Sequence, residues 1–411
     1  MTPFLPEGDR LAAVREALPA TAAGIYLNAG SVGPLPSETH RAMAELAERE
    51  LTVGRASLDD FVDLLERMDE ARAAVAAIAH AAPAEIALTH STTDALNVAS
   101  WSVDWQPGDR AVTTRFEHAG ALGPLYTLRD RLGIELVMTD LGDGGDDERT
   151  LAALDAAIVP GTKLVSVSHV SWTTGAVLPI ARIAELARAR GAVTLVDGAQ
   201  AIGAIPVEVG ALGVDFYAIP AQKWLLGPEG IAALYCAPAA TERARQTFAG
   251  FFSYASHDLV GAATLHAAAR RFETSGYSRP VVLGMARSLA WLSMYVGLDW
   301  VHRRGPALAR ASADRLAAIP GVELLTPRER MANLISFRIA GWTTDEAFEE
   351  ISRRSFAIFR TLPTDALRIS VGFYNTEEEL ERFAATVELV AGHTPATLPP
   401  RRMLAMLGEG A

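Results

Sequence analysis

The chain has 411 residues, half of them hydrophobic and 21% charged, with a formal net charge of −12. Such a length exceeds what one hydrophobic core usually supports, so two domains are expected, and the composition excludes a disordered chain. The acidic balance has no compensating basic stripe and excludes a nucleic-acid partner, while the single cysteine, Cys236, excludes a disulfide framework and suits a reducing cytoplasm.

Residues 1–8 lack the charged-then-apolar layout of an export signal, and no apolar run is long enough to span a bilayer. A membrane partner is therefore not expected. The stretch 26–36 is a loop dense in turn residues. From there, short runs rich in branched residues occur at 85–89, 110–114, 134–138, 163–168, 192–197, 215–219 and 230–235. Between them lie stretches such as 179–190, apolar at helical spacing and stopped by Gly191. Strand and helix in alternation predict a mostly parallel, seven-stranded sheet covered on both faces, with ligands beyond the C-terminal strand ends.

After about residue 280 the pattern changes to two long helical stretches, then strands at 321–325, 333–339, 356–360 and 367–371 with a helix from about Asp345. A last helix begins near Thr376, an N-cap followed by first-turn carboxylates. The fold class is α/β: a large domain over 20–280 and a smaller α+β domain over 281–395. Residues 1–19 are expected to pack on the small domain. The stretch from His393, including the tail 396–411, is expected to be a weakly ordered extension.

Thr89, Ser168 and Asp197 all fall at strand ends, where chemistry is expected. Lys223 lies in an apolar stretch only 26 residues after Asp197. Burial lowers a lysine pKa and exposes the neutral amine that condenses with an aldehyde. An aspartate at a strand end is the partner a pyridinium nitrogen needs, and the two together are the signature of pyridoxal 5′-phosphate. The hydroxyl cluster Ser91, Thr92 and Thr93 lies between a strand and a helix, where free N–H groups and a positive dipole end receive a phosphate. Metal chemistry is not expected. The acidic stretch 140–147 lacks calcium-loop spacing and reads as a solvated turn, and no His-x-x-x-His pair occurs.

The order of segments 28–34, 91–97, 117–118, 197–200 and 222–230 resembles the class V aminotransferase family of fold-type I pyridoxal-phosphate enzymes, over residues from about 25 to about 390. That family includes cysteine desulfurases, cysteine/cystine C–S lyases, isopenicillin N epimerase-like enzymes and kynureninases. The resemblance implies that Lys223 holds the cofactor covalently and Asp197 pairs with its ring nitrogen. It also implies that Gln200 approaches the phenolic oxygen, His118 stacks on the ring, and Thr92 and Thr93 hold the phosphate; Gln222, though a departure from the pattern, can still donate a hydrogen bond to that phosphate. Arg368, with Arg360 nearby and Asn28, is implied in binding the amino-acid carboxylate. Thr274, Ser275 or Ser278 is implied to reach a neighbouring subunit's phosphate, hence a homodimer with shared active sites.

Several positions depart from the desulfurase pattern. Trp172 replaces an asparagine, Gln222 a histidine and Pro220 a serine. Residues 361–366 contain no cysteine, so persulfide transfer is not expected. The expected reaction is β-elimination from cysteine or cystine, with transamination or epimerisation as the second reading and desulfuration the third. A non-catalytic regulator that merely binds the cofactor is disfavoured, because no basic region or spare length exists for a DNA-binding domain.

Overall fold

The computed structural model describes residues 8–400. Its first elements are α1 (Arg10–Ala17), β1 (Ile25–Tyr26), α2 (Ser37–Val53) and α3 (Leu58–Ala79). The seven expected strands then appear as β2 (Ile86–Thr89), β3 (Arg110–Thr114), β4 (Glu135–Thr139), β5 (Thr162–Ser168), β6 (Val193–Asp197), β7 (Phe216–Pro220) and β8 (Ala232–Cys236). They form one sheet in the order β2-β8-β7-β6-β5-β3-β4. Only β8 runs against its neighbours. Burial explains the run-like sequences: β2, β7 and β8 are buried at every position, as a sheet covered on both faces requires.

The C-terminal part is a four-stranded antiparallel sheet of β11 (Val322–Leu324), β12 (Leu334–Ile339), β14 (Arg360–Leu362) and β15 (Ala366–Ser370), in the order β11-β12-β15-β14. Before it, β9 (Tyr254–His257) and β10 (Ala263–Leu265) form a separate hairpin. The run expected as one strand at 356–360 is divided: β13 (Ala357–Ile358) pairs in parallel with β1, and β14 joins the sheet. Phe356 takes a left-handed φ of 57° after the preceding helix. Helix Arg279–Ala290 continues as a π-helix over Trp291–Val296, which ends at Gly297. The helix Glu377–Ala391 opens with a capping box between Thr376 and Glu379, as its sequence predicts.

The N-terminal segment touches both parts. Arg15 donates to the Tyr374 carbonyl and pairs with Glu379, whereas Val14 and Leu18 enter the core under the large sheet. Residues 1–7 lie outside the described residues. The stretch after His393 is better held than expected: Trp342 donates to the His393 carbonyl and Arg354 to that of Pro399. Residues 401–411 of the expected tail lie outside the described residues. No single described helix is long and apolar enough to cross a membrane.

A buried ion pair ties the sheet edge to its covering helix. Glu273 is fully buried, binds Arg72 of α3 at 2.7 Å, and accepts the Leu88 N–H of β2 at 2.9 Å. Removing one partner strands the other's charge away from water, which typically costs 3–5 kcal/mol. Glu273→Ala is expected to destabilise the large domain by about 3–5 kcal/mol, read as a lower urea midpoint. A midpoint equal to that of the parent protein would contradict this reading.

Candidate active site

The carboxyl ends of β3, β5, β6 and β7 converge on a cavity of about 250 Å³, and the small-domain strands β14 and β15 close it from the opposite side. Lys223 and Gln222 enter from the turn between β7 and β8. This turn is tight: the Gly227 N–H reaches the Ala221 carbonyl, and Leu226 takes φ of 53°, a conformation unfavourable for a leucine. Loop 28–36 crosses directly over it. The Gly33 N–H donates to the Gln222 carbonyl at 2.7 Å, and a Cβ at Gly33 would collide with the Lys223 carbonyl oxygen.

Asp197 ends β6 beside Lys223, and its Oδ1 accepts the Ala199 N–H at 2.9 Å. Behind it, His169 and Tyr217 form a buried pair at 2.9 Å, and the His169 N–H holds the Asp197 carbonyl. Burial pushes His169 down to about 4, so this pair is neutral. It does not line the cavity.

His118 caps the helix α5 (Ala119–Leu132), and its Nδ1 accepts the Gly120 N–H at 3.1 Å. With Nδ1 accepting, the neutral ring carries its proton on Nε2. Burial, and then the charge of Lys223, lower its pKa. Its ring meets Trp172 edge-on with centroids 5.2 Å apart. The preceding Glu117 lies outside the cavity and staples β3 to β5. It accepts from Thr114 Oγ1, from the Ser168 N–H and, by a very short contact, from Ser168 Oγ. Burial raises its carboxyl to about 7.

The hydroxyl cluster opens helix α4 (Thr92–Trp101). Ser91 acts as the ordinary N-cap, accepting the Asp94 N–H. Thr92 and Thr93 line the cavity, and their hydroxyls have no partner among the described residues. Gln200 also lines it, with its amide already spanning two groups: Oε1 accepts from Trp224 Nε1 and Nε2 donates to the Gly30 carbonyl. One amide hydrogen remains for a ligand.

Arg360 and Arg368 face each other in the register of β14 and β15 and both line the cavity. Burial, and then the charge of Arg360, push Arg368 down to about 9. Arg368 donates to the Trp172 carbonyl at 2.9 Å, while its Nε and the Trp172 Nε1 are buried without partners. Asn28 does not line the cavity; it accepts a hydrogen bond from Ser31, which does. Thr274 also lies outside its own chain's cavity, where its carbonyl accepts the Phe252 N–H.

Residues 25–383 match the family model for class V aminotransferases. The chain belongs to the class V aminotransferase family. It is 27% identical to a probable cysteine desulfurase of Methanothermobacter thermautotrophicus, over 92% of this chain and 98% of that protein. It is 32% identical to the isopenicillin N epimerase of Streptomyces clavuligerus, over 90% of this chain and 95% of that one. The solved structure of the cystine C–S lyase C-DES with its product cysteine persulfide superposes with a TM-score of 0.85 at 25% identity, covering 92% of this chain and all of that one.

Class V enzymes use pyridoxal phosphate, and the donor set here fits it. One end of the cavity offers the free hydroxyls of Thr92 and Thr93 at a helix N-terminus for a phosphate. The same lining holds the Lys223 amine, the Asp197 carboxylate and the guanidiniums of Arg360 and Arg368. Unpartnered polar atoms at Trp172 and Arg368 mark the same space. The site is that of a pyridoxal-phosphate-dependent enzyme. Ala199 and Ser31 join it from segments 197–200 and 28–34, where neither small loop residue is expected to serve the site, and only the assembled fold brings each to the cavity.

The surrounding protein pushes Lys223 down to about 8, desolvation outweighing the opposing pull of Asp197, with both arginines adding to the depression. The neutral amine, the form that attacks an aldehyde, therefore gains population as pH rises toward 8 rather than toward the ordinary lysine value. The rate at which apoenzyme takes up the cofactor covalently is expected to rise about tenfold per pH unit below 8 and then level off. Absorbance mixing experiments from pH 6 to 10.5 test this; a rate still climbing tenfold per unit at pH 10 would contradict it.

Proposed function

We propose that this enzyme is a cysteine/cystine C–S lyase that removes sulfur by β-elimination, working as a homodimer. The observation that carries the reading is where sulfur cannot go. Residues 363–365 form the tight connection between β14 and β15, with Asp365 at φ 53°, and the stretch 361–366 contains no cysteine. Cys236 is buried in β8, away from the cavity, and burial raises its thiol well above the usual range. A chain without a thiol at its site has no group on which to receive a persulfide. The likeness to a cystine C–S lyase over 92% of the chain supports the same reading.

Pyridoxal phosphate, when bound, supplies an electron sink for the substrate's α-carbon. Arg368 and Arg360 hold the amino-acid carboxylate through paired N–H donors. Lys223, with its lowered pKa, is the general base that takes the α-proton. With the cofactor bound, Asp197 would hold a proton on the ring nitrogen, and His118 would cover the ring face. Loss of the β-sulfur from cysteine or cystine, followed by hydrolysis of the remaining three-carbon enamine by one water, gives pyruvate and ammonia beside the sulfur species. Thr274 of a second copy completes the phosphate cradle. The exposed apolar residues Leu51, Val53, Leu58, Leu259 and Val260 support burial against that copy.

Epimerisation is the second reading, favoured by the 32% identity to an isopenicillin N epimerase. It needs the same carboxylate grip and the same proton removal but no leaving group. Incubation of the holoenzyme with cystine, cysteine and a panel of other amino acids separates the readings. Pyruvate with ammonia is the expected outcome. Alanine as product, inversion of the α-carbon, or a keto acid retaining the substrate skeleton would overturn elimination.

A further inference from the structure

Two guanidiniums share one pocket, and among the described residues neither has an acidic partner. Like charges so placed repel, and a third group is needed to hold both in one direction. The structure supplies a neutral one. Ser31 Oγ lies 3.3 Å from Arg360 Nη1 and 3.5 Å from Arg368 Nη2, and its own hydrogen is donated to Asn28 Oδ1 at 2.8 Å. With that hydrogen committed, Ser31 turns only lone pairs toward the arginines.

The loop carrying Ser31 is fixed at both ends. Asn28 bridges to Ser370 at the end of β15, and its carbonyl accepts the Ser31 N–H. The Gly30 carbonyl accepts from Gln200, and the Gly33 N–H donates to the Gln222 carbonyl. Gly30 permits the close approach: a Cβ there would stand 2.7 Å from Ser370 Oγ and 3.1 Å from Arg368 Nη2. The hydroxyl is thus built into the space between small-domain arginines and the large-domain turn that carries Lys223.

We propose that Ser31, oriented by Asn28, is a positioning residue for the arginine pair, drawing both guanidiniums to one point so that they meet an amino-acid carboxylate already aligned. This rests on the reading of the site as an amino-acid enzyme. Without Ser31 Oγ, Arg360 keeps only its contact with the Thr361 carbonyl and its place over the Trp172 ring, and Arg368 only its bond to the Trp172 carbonyl. The carboxylate would then have to gather two separated cations on binding.

The test uses holoenzyme and two amines that differ by the carboxylate alone, L-alanine and ethylamine, titrated by the visible absorption of the bound cofactor. Ser31→Ala is expected to weaken alanine about tenfold, the loss of one hydrogen bond to a charged group, and to leave ethylamine within about twofold. Asn28→Ala should move alanine in the same direction, Ser31→Thr should restore most of its binding, and Ser31→Ala should add little once Arg368→Ala is present. Alanine binding within twofold of the parent in both Ser31→Ala and Asn28→Ala would overturn the proposal, as would equal weakening of the two amines. A parent protein with no visible band would overturn the reading of the site itself, and this inference with it.

Discussion

An amine that is to attack an aldehyde at neutral pH must be kept out of water, and the arrangement around Lys223 follows from that requirement. Lysine is costly to enclose, so it is enclosed where the fold already ends in a concavity: beyond the carboxyl ends of parallel strands. The turn between β7 and β8 carries it there, and loop 28–36 lies across the turn closely enough that only glycine fits at position 33. Two arginines from β14 and β15 of the second sheet add positive charge that further disfavours the ammonium form. Asp197 opposes them. The balance leaves the lysine near 8, low enough to react and still attached to a stable sheet.

The same requirement explains why the site is built from both the seven-stranded and the four-stranded sheet. A parallel sheet supplies strand ends for a carboxylate and a helix N-terminus for a phosphate, but its own loops offer no guanidinium to this cavity. Those come from β14 and β15, whose facing positions in one register put two arginines side by side. The N-terminal loop then becomes the fastening. It pairs with β13 through β1, bridges to Ser370, and reaches Gln200 and Gln222 on the far wall. A shift between the two sheets would therefore move the arginine pair and the lysine relative to one another.

Local chemistry made much of this legible in the sequence. The seven large-sheet strands declare themselves as short runs rich in branched residues, most plainly where both faces are covered, as in β2, β7 and β8, and the Thr376 capping box announces the last helix within four residues. Lys223, Asp197, His118, Thr92, Thr93, Gln200, Gln222, Arg360 and Arg368 all line one cavity. What stayed hidden depends on distant partners. Ser31 meets Arg360 across 329 positions, and nothing near either residue marks the contact. The doubly engaged amide of Gln200 depends on Trp224 and Gly30, and the divided strand at 357–362 on whether β1 or β15 claims each half. The order of 393–400 likewise rests on Trp342 and Arg354, which the tail's composition does not reveal.

We propose that Lys223, enclosed beside Asp197, carries the cofactor. Its sequence makes this unusually clean to examine, because Lys163 and Lys223 are the only lysines in the chain. Borohydride reduction of the holoenzyme, followed by peptide mass spectrometry, measures the attachment directly. The account predicts the phosphopyridoxyl mass on the peptide containing Lys223 and none on that containing Lys163. Label on Lys163, or an unmodified Lys223 in protein that had shown the visible band, would contradict it.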